Sequence, residues 1–279
     1  MTKNFLKICE KAPPYNVGVF DSGIGGLNVL SACIKLLPPC TYYYLGDNLR
    51  APYGSRPEGE ILAFVREAMD VFASCGVDAV VLACNTATAV CADILRREYP
   101  FPIVGMEPAV KPAAQVCRNV LVLATPRTAS SARLKGLIAR FPDRNFTVHA
   151  APALAGEIER ALPKGERVEL SRHIPRGQFD GVVLGCTHYS FLKTEIAHFC
   201  GARVFDGSEG TAKRLCDVLG FDQIPEKSGT RNHFSETTNP NNCLTFFQSK
   251  LQQISLNFLG NGAKINQNLF FRTFVFRKN

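Results

Sequence analysis

The sequence lacks several patterns that would assign the chain to a class at first sight. It has no uninterrupted run of roughly 18 or more apolar residues, so no membrane-spanning helix is expected. The opening residues, MTKNFLKICEKAPPYN, are basic but contain no apolar segment of the length that a secretory signal needs. We therefore expect a cytoplasmic protein that has no membrane partner.

The cysteines lack a pattern as well. The 11 cysteines are scattered along the chain and include no CxxC pair. An odd number without paired spacing argues against a disulfide framework and against a zinc site, so no metal is expected. Most of these thiols are predicted to be small, buried, apolar side chains.

The net charge of +8 is compatible with an anionic ligand or with nucleic acid. No block of lysine and arginine concentrates it, and much of the excess lies near the termini, as in the final FFRTFVFRKN. Functional binding of nucleic acid is therefore not expected. The 279 residues, 46% of them hydrophobic, suffice for one large domain or two smaller ones.

Short β-rich segments alternate with longer amphipathic segments through the first hundred residues. The helix predicted at 26–37 ends before two prolines, and the one predicted at 58–76 ends on a glycine. Strands and helices alternating at this spacing predict an α/β domain with a mainly parallel sheet. The predicted strands are 16–20, 41–47, 78–85 and 102–107, and a third helix is predicted at 86–99.

The second part of the chain repeats this scheme. DAVVLAC ends on Cys84 and DGVVLGC ends on Cys186, and the segments 16–22 and 119–125 form a second similar pair. The spacing within each half is nearly the same: Asp21 and Cys84 are 63 residues apart, and Ala124 and Cys186 are 62 residues apart. This predicts two related α/β halves that arose by duplication. The alternative is that such apolar runs are common to all buried strands.

The tail changes character after about residue 226. Residues 226–243 are polar and rich in turn formers, and 244–260 resemble an amphipathic helix that ends at Gly260. The last stretch, 261–279, has no clear period. An edge strand, a docking arm and a disordered end all remain open for it.

Four loops follow the predicted parallel strands at their carboxyl ends, where open α/β sheets usually bind ligands. The first, DSGIGG at 21–26, has three glycines that suit either an anion at a helix start or a plain tight turn. Its spacing matches neither a dinucleotide fingerprint nor a P-loop. The other three loops are 84–86, 125–131 and 186–188.

Two of these loops carry a thiol, Cys84 and Cys186. A helix starting near Asn85 would lower the pKa of Cys84 through its dipole, and His188 is placed to relay a proton to Cys186. Buried structural thiols and a structural histidine are the alternative for each site taken alone. If the halves face each other about a pseudo-twofold axis, the thiols contact a ligand from opposite sides, with Asp21 assisting Cys84.

That arrangement suits moving a proton from one face of a carbon to the other, with one sulfur as thiolate and the other as thiol. No lysine occupies these loops, so a pyridoxal Schiff base has no anchor there. The loops therefore predict proton transfer without a cofactor. Developing carbanion charge would have to be stabilised by fixed N–H and hydroxyl donors.

Several segments resemble motifs of the cofactor-independent aspartate/glutamate racemase family, in that family's order. They are VFDSGIGGLNVL, YLGDNLRAPYGSR, VLACNTATA, VGMEPAVKPA and VLGCTHYSFLK, and HFSETTNPN resembles a C-terminal motif of the family. The resemblance covers about residues 16–260, and the long forms of the motifs favour glutamate racemases over aspartate racemases. It implies an isomerase that interconverts L- and D-glutamate and supplies D-glutamate for bacterial peptidoglycan.

The resemblance also implies roles for individual residues. Cys84 would act on the α-proton of D-glutamate and Cys186 on that of L-glutamate, with Asp21 and His188 as auxiliary acid/base groups. Glu157, in LAGEIER, resembles the family's glutamate near the histidine, with a solvent-facing helix residue as the alternative. Further substrate contacts are implied for Ser22, Pro52, Tyr53, Gly54, Asn85, Thr86, Thr187 and, in a stretch that departs from the family pattern, Thr128.

The family's chain returns to its first domain after completing the second. The expected domains are therefore 1–104 with 217–279, and 105–216, with the active site in the cleft between them. Homodimers are usual in the family, and some members with N-terminal extensions bind a peptidoglycan precursor as activator. Nothing in the first 15 residues decides that point, and neither they nor 261–279 have a family counterpart.

Two further functions remain open at this level. The chain could be a racemase for aspartate or another amino acid, which a panel of substrates distinguishes. It could instead be an anion-binding module that keeps the cleft for sensing. Such a module would bind glutamate and leave its α-proton in place.

Overall fold

A computed structural model describes residues 15–221 and the backbone of 272–277. The helix predicted at 244–260 and the HFSETTNPN segment lie outside the described residues. In the described part of the chain, no helix is both long and apolar enough to cross a membrane.

The first half is a five-stranded sheet in the order β4-β3-β1-β2-β9. Strands β1 to β4 are parallel, and β9 pairs antiparallel with β2 at the edge. Residues 272–277 are therefore an edge strand, one of the alternatives left open for 261–279, and the rest of that stretch lies outside the described residues. The strands are β1 (Tyr15–Asp21), β2 (Cys40–Gly46), β3 (Ala79–Leu82), β4 (Ile103–Gly105) and β9 (Arg272–Arg277).

Three helices follow the first three strands, close to their predicted positions. They are α1 (Leu27–Leu36), α2 (Glu58–Ser74) and α3 (Asn85–Glu98). The first turn of α2 carries Glu58 and Glu60, whose negative charges suit a helix N-terminus. A short 3-10 turn, Tyr53–Ser55, precedes α2, after a cis peptide bond between Ala51 and Pro52.

The second half is a four-stranded, fully parallel sheet in the order β6-β5-β7-β8. Its strands are β5 (Asn119–Ala124), β6 (Asn145–Ala150), β7 (Gly181–Gly185) and β8 (Arg203–Phe205). Its helices are α4 (Val110–Val116), α5 (Pro126–Ser130), α6 (Ala132–Ile138), α7 (Leu154–Ala161) and α8 (Lys193–Cys200), with 3-10 turns at Leu162–Lys164, Leu170–Arg172 and Thr187–Leu192.

The two sheets share one topology. The order β4-β3-β1-β2 in the first sheet corresponds strand for strand to β8-β7-β5-β6 in the second. Because β3 and β7 hold the same place beside the central strand, Cys84 and Cys186 follow equivalent strands. The prediction of two related α/β halves with mainly parallel sheets is confirmed.

Each sheet is covered on both faces, which explains its nearly continuous apolar strands. In the first half, Val19 and Val81 pack toward α1 on one face, and Phe20 and Leu82 pack toward α2 and α3 on the other. The second half divides in the same way into two apolar clusters. The strands are therefore held rigidly, and the loops at their carboxyl ends are positioned by them.

The chain returns to the first half earlier than the sequence predicted. Helix α9 (Ser208–Val218) packs its Ala212 and Leu215 into the same cluster as Val29 and Leu30 of α1. The expected boundary at 216/217 is therefore wrong, and the crossing lies just before α9. The expected boundary at 104/105 falls within the last two residues of β4 and stays a prediction.

Candidate active site

The carboxyl ends of both sheets meet at a small cavity between the halves. Its lining includes most of the predicted site residues and, in addition, Thr125 and Ala155. The cavity volume is about 10 Å³, which holds no more than one water molecule. An amino-acid ligand therefore requires the groups that line the cavity to move apart. The predicted residues in the lining are Ser22, Pro52, Tyr53, Gly54, Cys84, Asn85, Thr86, Cys186 and His188.

Cys84 is the N-cap residue of α3, where the sequence placed it. Its Sγ accepts from the backbone N–H of Ala87 and lies 3.5 Å from Ser22 Oγ. Burial nevertheless raises the pKa of Cys84 to about 12, and the nearby charge of Asp21 adds to the shift. The expectation that the helix dipole lowers this pKa is therefore wrong in the closed cleft, because desolvation of the thiolate is the larger effect.

Asp21 joins the two halves from the end of β1. Its Oδ2 accepts a hydrogen bond of 2.9 Å from the hydroxyl of Thr187, in the second half. Its Oδ1 accepts from Gly23 N at 3.0 Å and from Ser22 Oγ at 3.3 Å. Burial raises the pKa of Asp21, and the charge of His188 and the hydrogen bonds from Thr187 and Gly23 oppose that shift. Asp21 thus reaches Cys84 through Ser22.

Cys186 lies at the end of β7 beside His188. The distance from Cys186 Sγ to His188 Nδ1 is 3.8 Å, and His188 Nε2 lies 2.7 Å from Glu159 Oε1. Burial by itself would lower the pKa of His188, but its hydrogen bonds with Cys186 and Glu159 raise this pKa well above its usual value. The imidazole thus lies between a thiol and a carboxylate, which suits a group that relays a proton to or from Cys186.

Glu157, the glutamate that the sequence pointed to, is not the one beside this histidine. Its Oε2 contacts His173 Nε2 at 2.7 Å instead, while Glu159 Oε1 contacts His188 and accepts from Ile24 N at 3.1 Å. Residues two apart point about 200° apart around a helix, so only one of the two glutamates faces the cleft. Ala155 lies one turn before Glu159 and lines the cavity, so this face of α7 points toward the site. The sequence alone does not show which face of the helix does so.

Threonines from both halves meet on the other side of the cavity. The hydroxyl of Thr86 lies 3.0 Å from that of Thr125, which in turn lies 3.1 Å from that of Thr128. Thr125 lines the cavity, whereas Thr128 stands behind it. The sequence had marked the loop that begins at Thr125 but selected Thr128, because a strand end does not reveal which of two threonines faces inward.

Asn85 offers the cavity an unused amide. Its side chain is buried, and neither its Oδ1 nor its Nδ2 has a hydrogen-bond partner within the described structure. Burying such a group is unfavourable unless a partner is present. A ligand that both donates and accepts hydrogen bonds, as an amino acid does, would satisfy it.

Comparisons with known proteins agree with this geometry. Residues 28–215 match the family model described as Asp/Glu/Hydantoin racemase. Glutamate racemase of Clostridium novyi (strain NT) is 36% identical over 239 residues, covering 80% of this chain and 92% of that protein. Glutamate racemase 2 of Bacillus subtilis (strain 168) is 38% identical over 235 residues, covering 78% and 88%.

A solved structure shows the same similarity. It is Escherichia coli glutamate racemase in complex with L-glutamate and the activator UDP-MurNAc-ala. The TM-score is 0.70 at 32% sequence identity, and the match covers 85% of this chain and 95% of that one.

Proposed function

Since the chain belongs to the Asp/Glu/hydantoin racemase family and is an amino-acid racemase, we propose that it interconverts L- and D-glutamate through two cysteines. One observation carries this proposal. Cys84 and Cys186 follow equivalent strands of two related sheets and line one cavity.

The proposed reaction moves the α-proton between the two sulfurs. From L-glutamate, the Cys186 thiolate takes the α-proton, and the Cys84 thiol donates its own proton to the opposite face of the carbanion. D-Glutamate then leaves a Cys84 thiolate and a Cys186 thiol, and the reverse reaction uses the opposite protonation states. The raised pKa of Cys84 suits its role as the proton-donating thiol in the first of these states, and His188 lies beside Cys186 where it can relay a proton.

The remaining polar groups have supporting roles in this proposal. Asn85 and Thr86, together with Ser22, Thr125 and Thr187, offer the amide and hydroxyl groups that would hold the charged ends of glutamate. Fixed donors of this kind stabilise developing negative charge at the reacting carbon. Glu159 would act as a positioning residue, because it fixes the imidazole of His188.

An isotopic experiment tests the proposal. L-Glutamate incubated with the enzyme in D2O, without added pyridoxal phosphate, is expected to yield D-glutamate that carries solvent deuterium at Cα. Chiral chromatography and mass spectrometry would measure the product. Folded protein that forms no D-glutamate would refute the assignment. Faster turnover of aspartate than of glutamate would indicate an aspartate racemase. Glutamate binding without α-proton exchange would indicate a sensor.

We further propose that the D-glutamate is used for peptidoglycan synthesis in the cytoplasm, as the family resemblance implies. The homodimer implied by the same resemblance also stays a prediction. Sedimentation equilibrium would check it.

A second proposal concerns an effector, since the E. coli relative was solved with UDP-MurNAc-ala as activator. A cavity of about 780 Å³ lies apart from the thiols in this chain, at the crossing between the halves. Its size suits a small-molecule ligand. Two acidic residues, Glu107 and Asp206, border it against five basic ones: Arg96, Lys111, Arg133, Arg140 and Arg214. Arg96, Arg133 and Arg214 are ion-paired with Asp93, Glu107 and Asp217, so the support for an anionic effector comes mainly from Lys111 and Arg140.

The effector proposal predicts a selective loss of activation. The double variant Lys111→Ala/Arg140→Ala is expected to lose most of the rate increase caused by UDP-MurNAc-alanine and to keep its basal rate, because both residues border the larger cavity and neither lines the small one. Initial racemisation rates would be measured over a range of activator concentrations. The control is Arg176→Ala, an exposed arginine elsewhere on the surface. Unchanged activation in the double variant, or none in the wild type, would contradict the proposal.

A further inference from the structure

We propose that Asp47 is a positioning residue that holds Tyr53, and with it the Pro52–Gly54 wall of the cavity, in the geometry that binds glutamate. The proposal rests on the function proposed above. It concerns a residue that takes no part in the proton transfer.

Asp47 is tied directly to the catalytic strand. It follows β2, and its backbone N–H donates to the carbonyl oxygen of Asp21 at 3.0 Å. Its side chain is fully buried. A buried carboxylate is unfavourable unless it is paired, so the position requires specific partners.

Both partners of this carboxylate bind the same oxygen. Oδ2 accepts from Tyr53 OH at 2.5 Å and from Arg50 Nε at 2.6 Å, while Oδ1 has no hydrogen-bond partner in the described part of the chain. Arg50 is held in turn by Glu67 at 2.9 Å and lies 4.0 Å from the ring centroid of Phe64. Arg50 thereby fixes the carboxylate of Asp47, and this carboxylate in turn holds the hydroxyl of Tyr53.

Tyr53 transmits this position to the cavity. Its ring is 1% exposed, and its centroid lies 6.2 Å from that of Phe20 and 5.9 Å from that of Phe64. Its hydroxyl is bound to Asp47, and the residue lines the cavity together with its neighbours Pro52 and Gly54. Apolar ring contacts alone leave a side chain free to slide, whereas a hydrogen bond to a charged acceptor is directional.

The wall has little tolerance for displacement. A Cβ added to Gly54 would lie 2.7 Å from the Cβ of Thr125, so the wall touches the opposite half of the site. The bond between Asp47 and Tyr53 therefore sets where the wall lies relative to Thr125 when the cleft closes. A looser wall would bind glutamate more weakly and alter the chemical step much less.

A double-mutant cycle tests this proposal. Asp47→Asn and Tyr53→Phe are each expected to raise KM for glutamate and to weaken its calorimetric binding by about tenfold, with a smaller change in kcat. Because both changes break one interaction, the double variant is expected to bind no more weakly than the weaker single variant. Thermal unfolding would show that each variant is folded.

The chain offers a matched control. Tyr99 OH donates to Asp70 Oδ1 at 2.7 Å, an exposed pair of the same chemistry that lies outside the glutamate cavity. Asp70→Asn and Tyr99→Phe are expected to leave glutamate binding within twofold of the wild type. Equal losses in both cycles would indicate a general effect on stability and overturn the proposal.

Other outcomes separate this inference from the proposed function. Additive losses at Asp47 and Tyr53, or binding by Asp47→Asn within twofold of the wild type, would overturn the positioning role while racemisation stands. Wild-type protein that binds glutamate but does not exchange its α-proton would refute the racemase assignment. The double-mutant cycle on glutamate binding would still test the positioning role of Asp47. Wild-type protein that binds no glutamate would overturn both.

Discussion

Replacing Cys84 or Cys186 with serine is expected to lower the racemisation rate by about 10²–10⁴-fold, the contribution typical of a positioned acid or base. A serine hydroxyl is far less acidic than a thiol, so it supplies neither the thiolate nor the proton that the opposite face requires. Polarimetry with each enantiomer as substrate would measure the loss in both directions.

The two variants are also expected to differ from one another. With Cys84 replaced, Cys186 can still exchange the α-proton of L-glutamate with D2O from its own face, without inversion. With Cys186 replaced, the exchange is expected for D-glutamate. The control is Cys75→Ser, whose thiol lies at the end of α2 and outside the cavity lining. Near-normal turnover in either active-site variant would refute the two-thiol mechanism.

Gly25→Ala is expected to lower activity by about 10²-fold or more without unfolding the protein. A Cβ at this position would lie 2.3 Å from Thr187 Oγ1 and 2.7 Å from the backbone N of His188. Because one of these contacts is with backbone, we expect the two loops to move apart and the bond from Thr187 to Asp21 to lengthen. A displacement of about 1 Å at a reacting centre is enough for a loss of this size.

A matched glycine separates this effect from a general change in stability. Gly156 lies in α7, the helix that carries Glu159, and a Cβ there would meet nothing within 4 Å. Gly156→Ala is therefore expected to retain activity and to gain about 0.5–1 kcal/mol in the free energy of unfolding. Steady-state kinetics and thermal unfolding of both variants would be compared. A Gly25→Ala enzyme with half or more of the wild-type rate would show that the contact is not restrictive.

Some of the site was readable from the sequence because strand ends are fixed by strong local patterns. The apolar run before Cys84 and its counterpart before Cys186 predicted parallel strands, and parallel strands bring their following loops to one edge. The repeated spacing predicted two such edges, and the structure places both beside one cavity. Asp21 and His188 followed from the same reasoning, since each lies at or next to a strand end.

Where the sequence failed, the deciding factor was orientation or solvation. Glu157 and Glu159 have the same chemistry, and only the rotation of α7 against the cleft separates them. Thr125 and Thr128 differ in the same way at the start of α5. The pKa of Cys84 was misjudged because the dipole of α3 is visible in the sequence pattern, whereas the depth of burial that outweighs it is not.

By itself the sequence determined the α/β class, the similarity of the two halves and the two thiols that follow equivalent strands. These rest on local periodicity and on residue types, which do not depend on contacts between distant segments. Only the tertiary structure decided which polar side chains meet across the halves, where the chain returns to the first sheet, and that Asp47 holds Tyr53. Each of these depends on the relative placement of elements far apart in the chain, which is set by packing of the whole core.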